Sequence, residues 1–261
     1  MTRLRYAVHG VVSAATPPPA GVAPHFRVTS EGLALLYSPL PAEDVRVARQ
    51  DLSADPPDAA ALAEEAEAAL HHNAVLSAYA AAHDVLPARF GGAVSGEPAA
   101  RALLAKHAAV YRAGLEGLAG AAEYGLKVRL TQPRPAIQRD EVAFEGGRHY
   151  LTRRRAVRDA RRRDAHAQRD AVTELEASIH PLCRSWRPMA AGANSLVAQA
   201  LLVDRQAVLT LIAMAEREHA RLVRLNLTLE LSGPWPAYSF ADGTGTTKPV
   251  ATDWDPREGR L

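Results

Sequence analysis

Apolar residues in the first half of the chain recur with two periods, one typical of strands and one typical of helices. The segment from Leu4 to Ser13 is rich in β-branched residues, which favour strands, and Ser30-Glu31-Gly32 is typical of a turn between two short apolar runs. Two Ala-rich stretches repeat apolar residues every three or four positions and predict helices, the second opened by Glu97-Pro98. The predicted strands are 4–13, 26–29, 33–38 and 84–90, and the predicted helices run from 58 to about 82 and from 97 to about 117.

The second half of the chain combines strand and helix patterns in a different order. The predicted strands are 124–131, 182–189, 194–203 and 222–231, and the predicted helices are 149–179 and a helix capped by Asp204 that runs to about 221. The order β-α-β-β-α-β is that of ferredoxin-like domains. We therefore predict an α+β fold with two domains, an N-terminal α/β domain at 1–121 and a ferredoxin-like domain at 122–240, followed by a loosely ordered tail at 241–261.

The composition is that of a soluble globular protein and excludes several other classes. The chain has 261 residues, 48% hydrophobic and 23% charged, so it can bury a core without metal or disulfide staples. Cys183 is the only cysteine, which excludes an intrachain disulfide and a CxxC zinc site and predicts a buried structural thiol. No apolar run reaches the ~18–20 residues of a membrane span. The short N-terminal apolar run carries His9 and is interpreted as a strand rather than a signal peptide, which predicts a cytosolic protein.

Charge is distributed unevenly along the chain. Residues 148–169 contain nine arginines and two aspartates, a net charge of +7, whereas residues 43–67 have a net charge of −6. Three interpretations of the basic helix remain open: a solvated face, a nucleic-acid contact, and a contact with an acidic protein surface. Arg154, Arg158 and Arg162 recur at helical spacing and are the candidate residues for a protein contact.

Motifs for catalysis and cofactor binding are incomplete. Gly91 to Gly96 has the glycine spacing of a phosphate loop, but Glu97 and Pro98 replace the lysine and the Ser/Thr that bind phosphate and Mg²⁺. Glu216 and His219 form a single ExxH pair, whereas a di-iron bundle needs two. Other carboxylates and histidines on the first long helix, among them Glu67, His71 and His72, are interpreted as solvated. The sequence predicts no metal, no cofactor and no enzyme, with an enzyme on a ferredoxin-like scaffold as an alternative.

Aromatic residues are concentrated near the C-terminus. Trp235, Tyr238 and Phe240 lie within six positions, next to two prolines that stiffen an extended backbone. Either the chain end folds back over the core or these rings anchor a partner.

Four motifs in the same order resemble the GvpL/GvpF family of gas vesicle proteins. Gly233–Phe240 resembles the closing motif of the family, and Val85–Gly91 resembles its Pro-Leu-Arg-Phe-Gly strand, with Ala88 in place of the usual leucine. Glu123–Val128 resembles the entry to the second domain, and Gly147–Leu151 resembles the start of a long helix. The resemblance spans about residues 4–240, whereas the prolines at 17–19 and the tail after 240 are not family features.

The resemblance implies an assembly factor or minor component of gas vesicles, the gas-filled protein shells that make microbes buoyant. Such proteins are similar to this one in combining an N-terminal α/β domain with a ferredoxin-like domain. The resemblance implies a non-enzymatic protein of the gas vesicle and cytoplasm that binds the shell protein and other accessory Gvp proteins; self-association is a further expectation. The candidate partner-binding residues outside the basic helix are Pro87, Arg89, Phe90, Trp235, Tyr238 and Phe240.

Overall fold

The contacts of the chain divide it into two compact units. The computed structural model describes residues 5–40, 59–131, 147–192 and 194–241. The N-terminal unit comprises the described residues up to Glu123 together with those from Pro234 onward, and the C-terminal unit comprises Tyr124–Gly233. The last described segment, 234–241, therefore groups with the N-terminal unit, although the sequence interpretation assigns it to the C-terminal domain.

The N-terminal unit combines an antiparallel sheet with two helices, as in α+β proteins. The sheet order is β2-β3-β1-β4, and β5 also pairs with β1. The elements are β1 Tyr6–Ser13, β2 Phe26–Ser30, β3 Leu33–Pro39, α1 Ala59–Ala82, β4 Leu86–Pro87, β5 Ala93–Val94 and α2 Glu97–Leu118. The predicted hairpin is confirmed, because β2 and β3 pair across a turn in which Glu31 and Gly32 adopt positive φ.

The prediction of a continuous strand over 84–90 is wrong, because the strand covers only Leu86–Pro87. Only Leu86 and Pro87 pair with β1, opposite Val11 and Gly10. The Ala88 N–H still donates to the His9 carbonyl at 2.8 Å, but Gly91 at φ 92° then turns the chain so that β5 pairs with the other end of β1. Gly91, the first of the glycines with phosphate-loop spacing, therefore turns the chain back along the sheet edge.

A β-bulge in β1 turns two consecutive residues toward α1. Val8 pairs with Tyr37, but Gly10 pairs with Leu36, so one residue of β3 lies opposite both His9 and Gly10. His9 contacts His72 of α1, and a Cβ on Gly10 would lie 2.9 Å from Leu76 of the same helix. Because the bulge interrupts the alternation of the strand, His9 and Gly10 both face α1.

Buried histidines connect β1, β3 and α1 through hydrogen bonds of fixed direction. His72 Nε2 lies 3.2 Å from the Ala88 carbonyl and must donate to it, so in the neutral ring His72 Nδ1 is an acceptor. His9 Nδ1, 3.1 Å away, donates to it, and His9 Nε2 then accepts from the Ser38 hydroxyl at 2.8 Å. Burial, with smaller effects of His72 and His71, lowers the pKa of His9 to about 3. Burial also lowers the pKa of His72 to about 4, so both rings are neutral near pH 7.

The C-terminal unit has a four-stranded sheet of order β7-β8-β6-β9 and two helices. Its elements are β6 Ala121–Leu130, α3 Gly147–Ile179, β7 Ser185–Pro188, β8 Ser195–Asp204, α4 Val208–Val223 and β9 Leu227–Trp235. The helix α3 packs against both α4 and β8. The side chains buried there include Leu126, Val128, Leu175, Ile179, Leu201, Leu211, Leu222 and Leu227.

Three predicted elements of this unit begin later than expected: the helix from Asp204, the strand from 222, and the strand from 182, which starts at Ser185. The helix predicted from Asp204 begins at Val208 after a 3₁₀ turn, and the Asp204 carboxylate forms an ion pair with Arg184 instead of capping the helix. The strand predicted from 222 begins at Leu227, because α4 continues to Val223 to bury Leu222 and the chain then turns through Asn226 at φ 58°.

Cys183 is half-buried rather than buried as predicted. Cys183 lies after a 3₁₀ turn and before β7, outside any strand, and is half-buried with its thiol 3.4 Å from the Ile179 carbonyl. Burial raises the pKa of this thiol to about 11, so the reactive thiolate is scarce at neutral pH.

The neutral histidine pair predicts a pH-dependent stability of the N-terminal unit. The folded-state pKa values of His9 and His72 lie below the unfolded value of about 6.5. The unfolded chain therefore binds more protons between pH 6.5 and 4, and stability falls as the pH is lowered through this range, by up to roughly 1.4 kcal/mol per pH unit for each histidine. Urea unfolding from pH 8 to pH 4 measures the slope. His72→Gln, whose amide can still bridge His9 and Ala88, should reduce it by about half; equal slopes in both proteins would contradict the assignment.

Close packing at the bulge predicts that Gly10→Ala is destabilising. The new Cβ would lie 2.7 Å from the Leu86 carbonyl oxygen, a backbone atom that cannot turn away. We expect a loss of roughly 1–3 kcal/mol in the free energy of unfolding, measured by urea denaturation. Gly117→Ala in α2 is the matched control, because nothing lies within 4 Å of its Cβ, and it should be neutral or stabilising. Equal midpoints for the two variants would refute the packing argument.

Candidate partner-binding surfaces

The closing segment, residues 234–241, is held in the N-terminal unit by a buried carboxylate. The backbone N–H of Ser239 donates to Glu123 at 2.8 Å, and the Ser239 hydroxyl donates to the other carboxylate oxygen, also at 2.8 Å. Glu123 is buried, so these hydrogen bonds replace part of its lost hydration. These hydrogen bonds hold the backbone directly after Tyr238. The next residue, Phe240, is buried.

The ring of His72 lies against two aromatic side chains from distant parts of the sequence. Tyr238 stacks on it with ring centroids 6.2 Å apart at 23°, and Phe90 meets it edge-on at 5.6 Å and 76°. His72 is itself buried, whereas Phe90 is 44% exposed and Tyr238 is 37% exposed. Burial, and to a smaller extent Glu123, raises the pKa of Tyr238 to about 12, so its hydroxyl stays neutral. We call Phe90 and Tyr238 over His72 the aromatic surface.

The structure divides the candidate residues of these two segments into exposed and buried groups. Arg89 is exposed, as is Trp235 at 44%. Pro87 and Phe240 are buried, so they present little area to a partner. The interpretation of His72 as a solvated residue is wrong, because it is 3% exposed. The sequence analysis does not predict a role for Glu123, although this residue opens one of the motifs that carry the family resemblance.

A cavity of about 520 Å³ lies beside Phe90. We call it the Phe90 pocket. Most of its wall is apolar, and Glu64 and Glu67 of α1 are exposed at its opening. Its lining residues are Ala7, His9, Pro24, Ser38, Pro39, Leu40, Glu64, Glu67, Ala68, His71 and Phe90. The pocket offers an apolar binding site with a negatively charged rim.

Most described arginines in the N-terminal half of α3 are exposed, and Arg161 is half-buried. Every side chain from 152 to 158 is exposed, and burial becomes substantial only from Gln168 onward. Arg154, Arg158 and Arg162 follow one another at i,i+4 spacing and are all exposed, so their like charges repel. We call residues 152–163 the arginine arm. Of the acidic segment 43–67, residues 43–58 lie outside the described residues, and Glu64, Glu65 and Glu67 are exposed on α1.

The described residues bring together no donor set for a metal ion. Among them, no group of three or more His, Cys, Asp or Glu side chains lies close enough to hold one. Glu216 and His219 line a cavity of about 460 Å³ with mainly apolar neighbours from α4, β6 and β9. Glu97, at the lysine position of the phosphate-loop pattern, pairs with Arg101 at 2.7 Å. No helix of the described part of the chain is both long and apolar enough to span a bilayer.

Comparison with solved structures identifies relatives of the fold. The crystal structure of the gas vesicle protein GvpF from Anabaena sp. PCC7120 matches with a TM-score of 0.62 and 15% sequence identity, over 91% of this chain and 96% of that one. The crystal structure of GvpF from Microcystis aeruginosa matches with a TM-score of 0.59 and 14% identity, over 91% of this chain and 98% of that one. Both matches support an α+β fold with two antiparallel sheets.

Comparison of the sequences identifies the family. The chain is 33% identical over 192 residues to gas vesicle protein L of Streptomyces sp. (strain CB03234), which covers 67% of this chain and 69% of that protein. The model of the gas vesicle synthesis protein GvpL/GvpF family matches residues 5–242. Because this match runs through nearly the whole sequence, the chain belongs to the GvpL/GvpF family of gas vesicle synthesis proteins.

Proposed function

We propose that this protein is a non-enzymatic assembly factor or minor component of gas vesicles, that it binds the shell protein directly, and that it acts in the cytoplasm and at the vesicle. Family membership supports a role in gas vesicle synthesis. The observation that carries the binding proposal is the aromatic surface, where Phe90 and Tyr238 stay exposed while packing on the buried ring of His72.

The chemistry of the shell explains why such a surface is useful. A shell subunit in contact with gas must be apolar on one side, and before assembly that side would aggregate in water. A soluble partner needs an exposed apolar anchor whose shape is set in advance, because ordering side chains on binding costs free energy. Phe90 and Tyr238 meet both needs, since each keeps over a third of its area exposed while its ring contacts a buried neighbour.

We also propose that the C-terminal unit is ferredoxin-like and that the two units are the two domains of the protein. The element order β6-α3-β7-β8-α4-β9 supports this assignment. The sheet order β7-β8-β6-β9 supports it further, because the first and third strands are central and the second and fourth lie at the edges. In this arrangement the arginine arm extends from the first crossover helix.

Substitutions on the aromatic surface should prevent vesicle formation without unfolding the protein. In a strain lacking the gene, we expect no vesicles by electron microscopy, and the natural gene should restore them. Phe90→Ala and Tyr238→Ala should each weaken shell-protein binding by about tenfold or more, as central aromatic anchors do. Val110→Ala, an exposed apolar residue of α2, is the matched control and should restore vesicles fully.

Protein abundance and melting temperature separate binding from folding in this experiment. Phe240→Ala, at a buried ring, should cost roughly 3–5 kcal/mol of stability and fail by unfolding. Folded, abundant Phe90→Ala and Tyr238→Ala proteins that bind the shell protein normally would refute the aromatic surface. Normal vesicles in the deletion strain would refute the role itself.

Charge reversal on the arginine arm should weaken complexes with Gvp partners. Arg154→Glu/Arg158→Glu/Arg162→Glu replaces three exposed cations with anions and should reduce pull-down of acidic partners at low salt. Each exposed pair contributes only ~0–1 kcal/mol, so we expect the loss to disappear as salt is raised. The triple lysine variant keeps the charge and is the control. Unchanged pull-down at low salt would contradict the protein contact and show that the arm is only a solvated face.

A further inference from the structure

The arginine arm carries an apolar residue within a ring of positive charge. Val157 is 47% exposed, although the helix around it is strongly polar. On a helix surface, the neighbours of position 157 are those three and four residues away, which here include Arg153, Arg154 and Arg161. Arg155 and Arg163 are exposed and point away from this side of the helix. One side of the arm therefore presents a small apolar side chain surrounded by guanidinium groups.

The Phe90 pocket has the complementary arrangement. Its wall is formed largely by Ala68, Pro24, Pro39, Leu40 and Phe90. The carboxylates of Glu64 and Glu67 stand at its opening, one helical turn apart on α1. An apolar side chain would lose contact with water inside the pocket, while cations beside it would meet the two carboxylates.

We propose that the arginine arm of one copy of this chain docks on the Phe90 pocket of a second copy. Val157 enters the pocket, and Arg153 and Arg154 face Glu64 and Glu67 at its rim. The contact relieves repulsion among the arginines of the arm, because carboxylates of the second copy then neutralise part of their charge. It also buries Val157 against the apolar wall.

Association through this contact should be weak and sensitive to salt. Pairs between exposed charges are individually weak, and a single valine buries little area. The arm and the pocket are different surfaces, so the contact joins copies head to tail, unless two copies make it reciprocally and form a closed dimer. In both arrangements the average mass rises with protein concentration. Phe90 belongs both to the pocket and to the aromatic surface, so a docked copy would compete with a partner bound there.

Analytical ultracentrifugation of the full chain, after nuclease treatment, tests the proposal. At about 0.1 M salt we expect the average mass to rise with protein concentration, and at about 1 M salt, where the Debye length is about 3 Å, we expect the monomer. Glu64→Arg/Glu67→Arg and Arg153→Glu/Arg154→Glu should each be monomeric at low salt. In each pure variant the arm and the rim carry the same sign of charge and repel. An equimolar mixture should regain association, because the arm of each variant then meets a rim of opposite charge on the other.

Matched controls exclude a general effect of net charge. Arg155→Glu/Arg163→Glu makes the same change of charge on the opposite side of the arm, at residues outside the proposed contacts, and should associate like the natural protein. Val157→Ala should weaken association while leaving its salt dependence in place. A mass that never rises with concentration would overturn the proposal, as would association that depends on nucleic acid. Loss of association in the opposite-side control equal to that in Arg153→Glu/Arg154→Glu would also overturn it.

Discussion

The hydrogen bond between the rings of His9 and His72 joins the central strand of the N-terminal unit to its first helix. The bond exists because a bulge in β1 turns His9 toward α1, and because the Ala88 carbonyl and the Ser38 hydroxyl complete the requirements of both rings. A buried imidazole without such partners would cost several kcal/mol of lost hydration. The neutral pair therefore stabilises the position of α1 while adding no buried charge.

The aromatic surface depends on this arrangement. His72 offers one flat, immobile ring to Phe90 and Tyr238, which reach it from the end of β4 and from the closing segment. The Glu123 carboxylate holds the closing segment by two hydrogen bonds to Ser239. Buried polar groups thus help to determine where the exposed aromatic rings lie, so the groups that stabilise the unit differ from the rings proposed to bind a partner.

The arginine arm follows a different principle. Its exposed side chains contribute no core, and its like charges oppose the helix, so its stability comes from the buried C-terminal half of α3, where Leu175 and Ile179 pack. Negative charge on a second copy would offset part of this repulsion. The Phe90 pocket combines its acidic rim with an apolar cavity. It can therefore bury an apolar side chain, whereas an acidic surface without a cavity only attracts cations.

The sequence by itself determined the local elements and the family. The turn at Ser30–Gly32, the start of α2 at Glu97 and the long helix α3 follow from turn chemistry, from proline in the first helical turn and from a stretch without glycine or proline. The four family motifs can also be recognised from the sequence alone, because each lies within a short segment of the chain.

Only the tertiary structure decided that His72 is buried and that Phe90 and Tyr238 share its ring. Histidine occurs both in cores and on surfaces, and which applies depends on hydrogen-bond partners that α1 does not contain. The bulge at His9 adds one residue to a strand, and an alternating pattern cannot reveal where that residue falls. Periodicity assigns each residue to a face of its own element, but the pairing of faces is settled by packing between segments far apart in the chain.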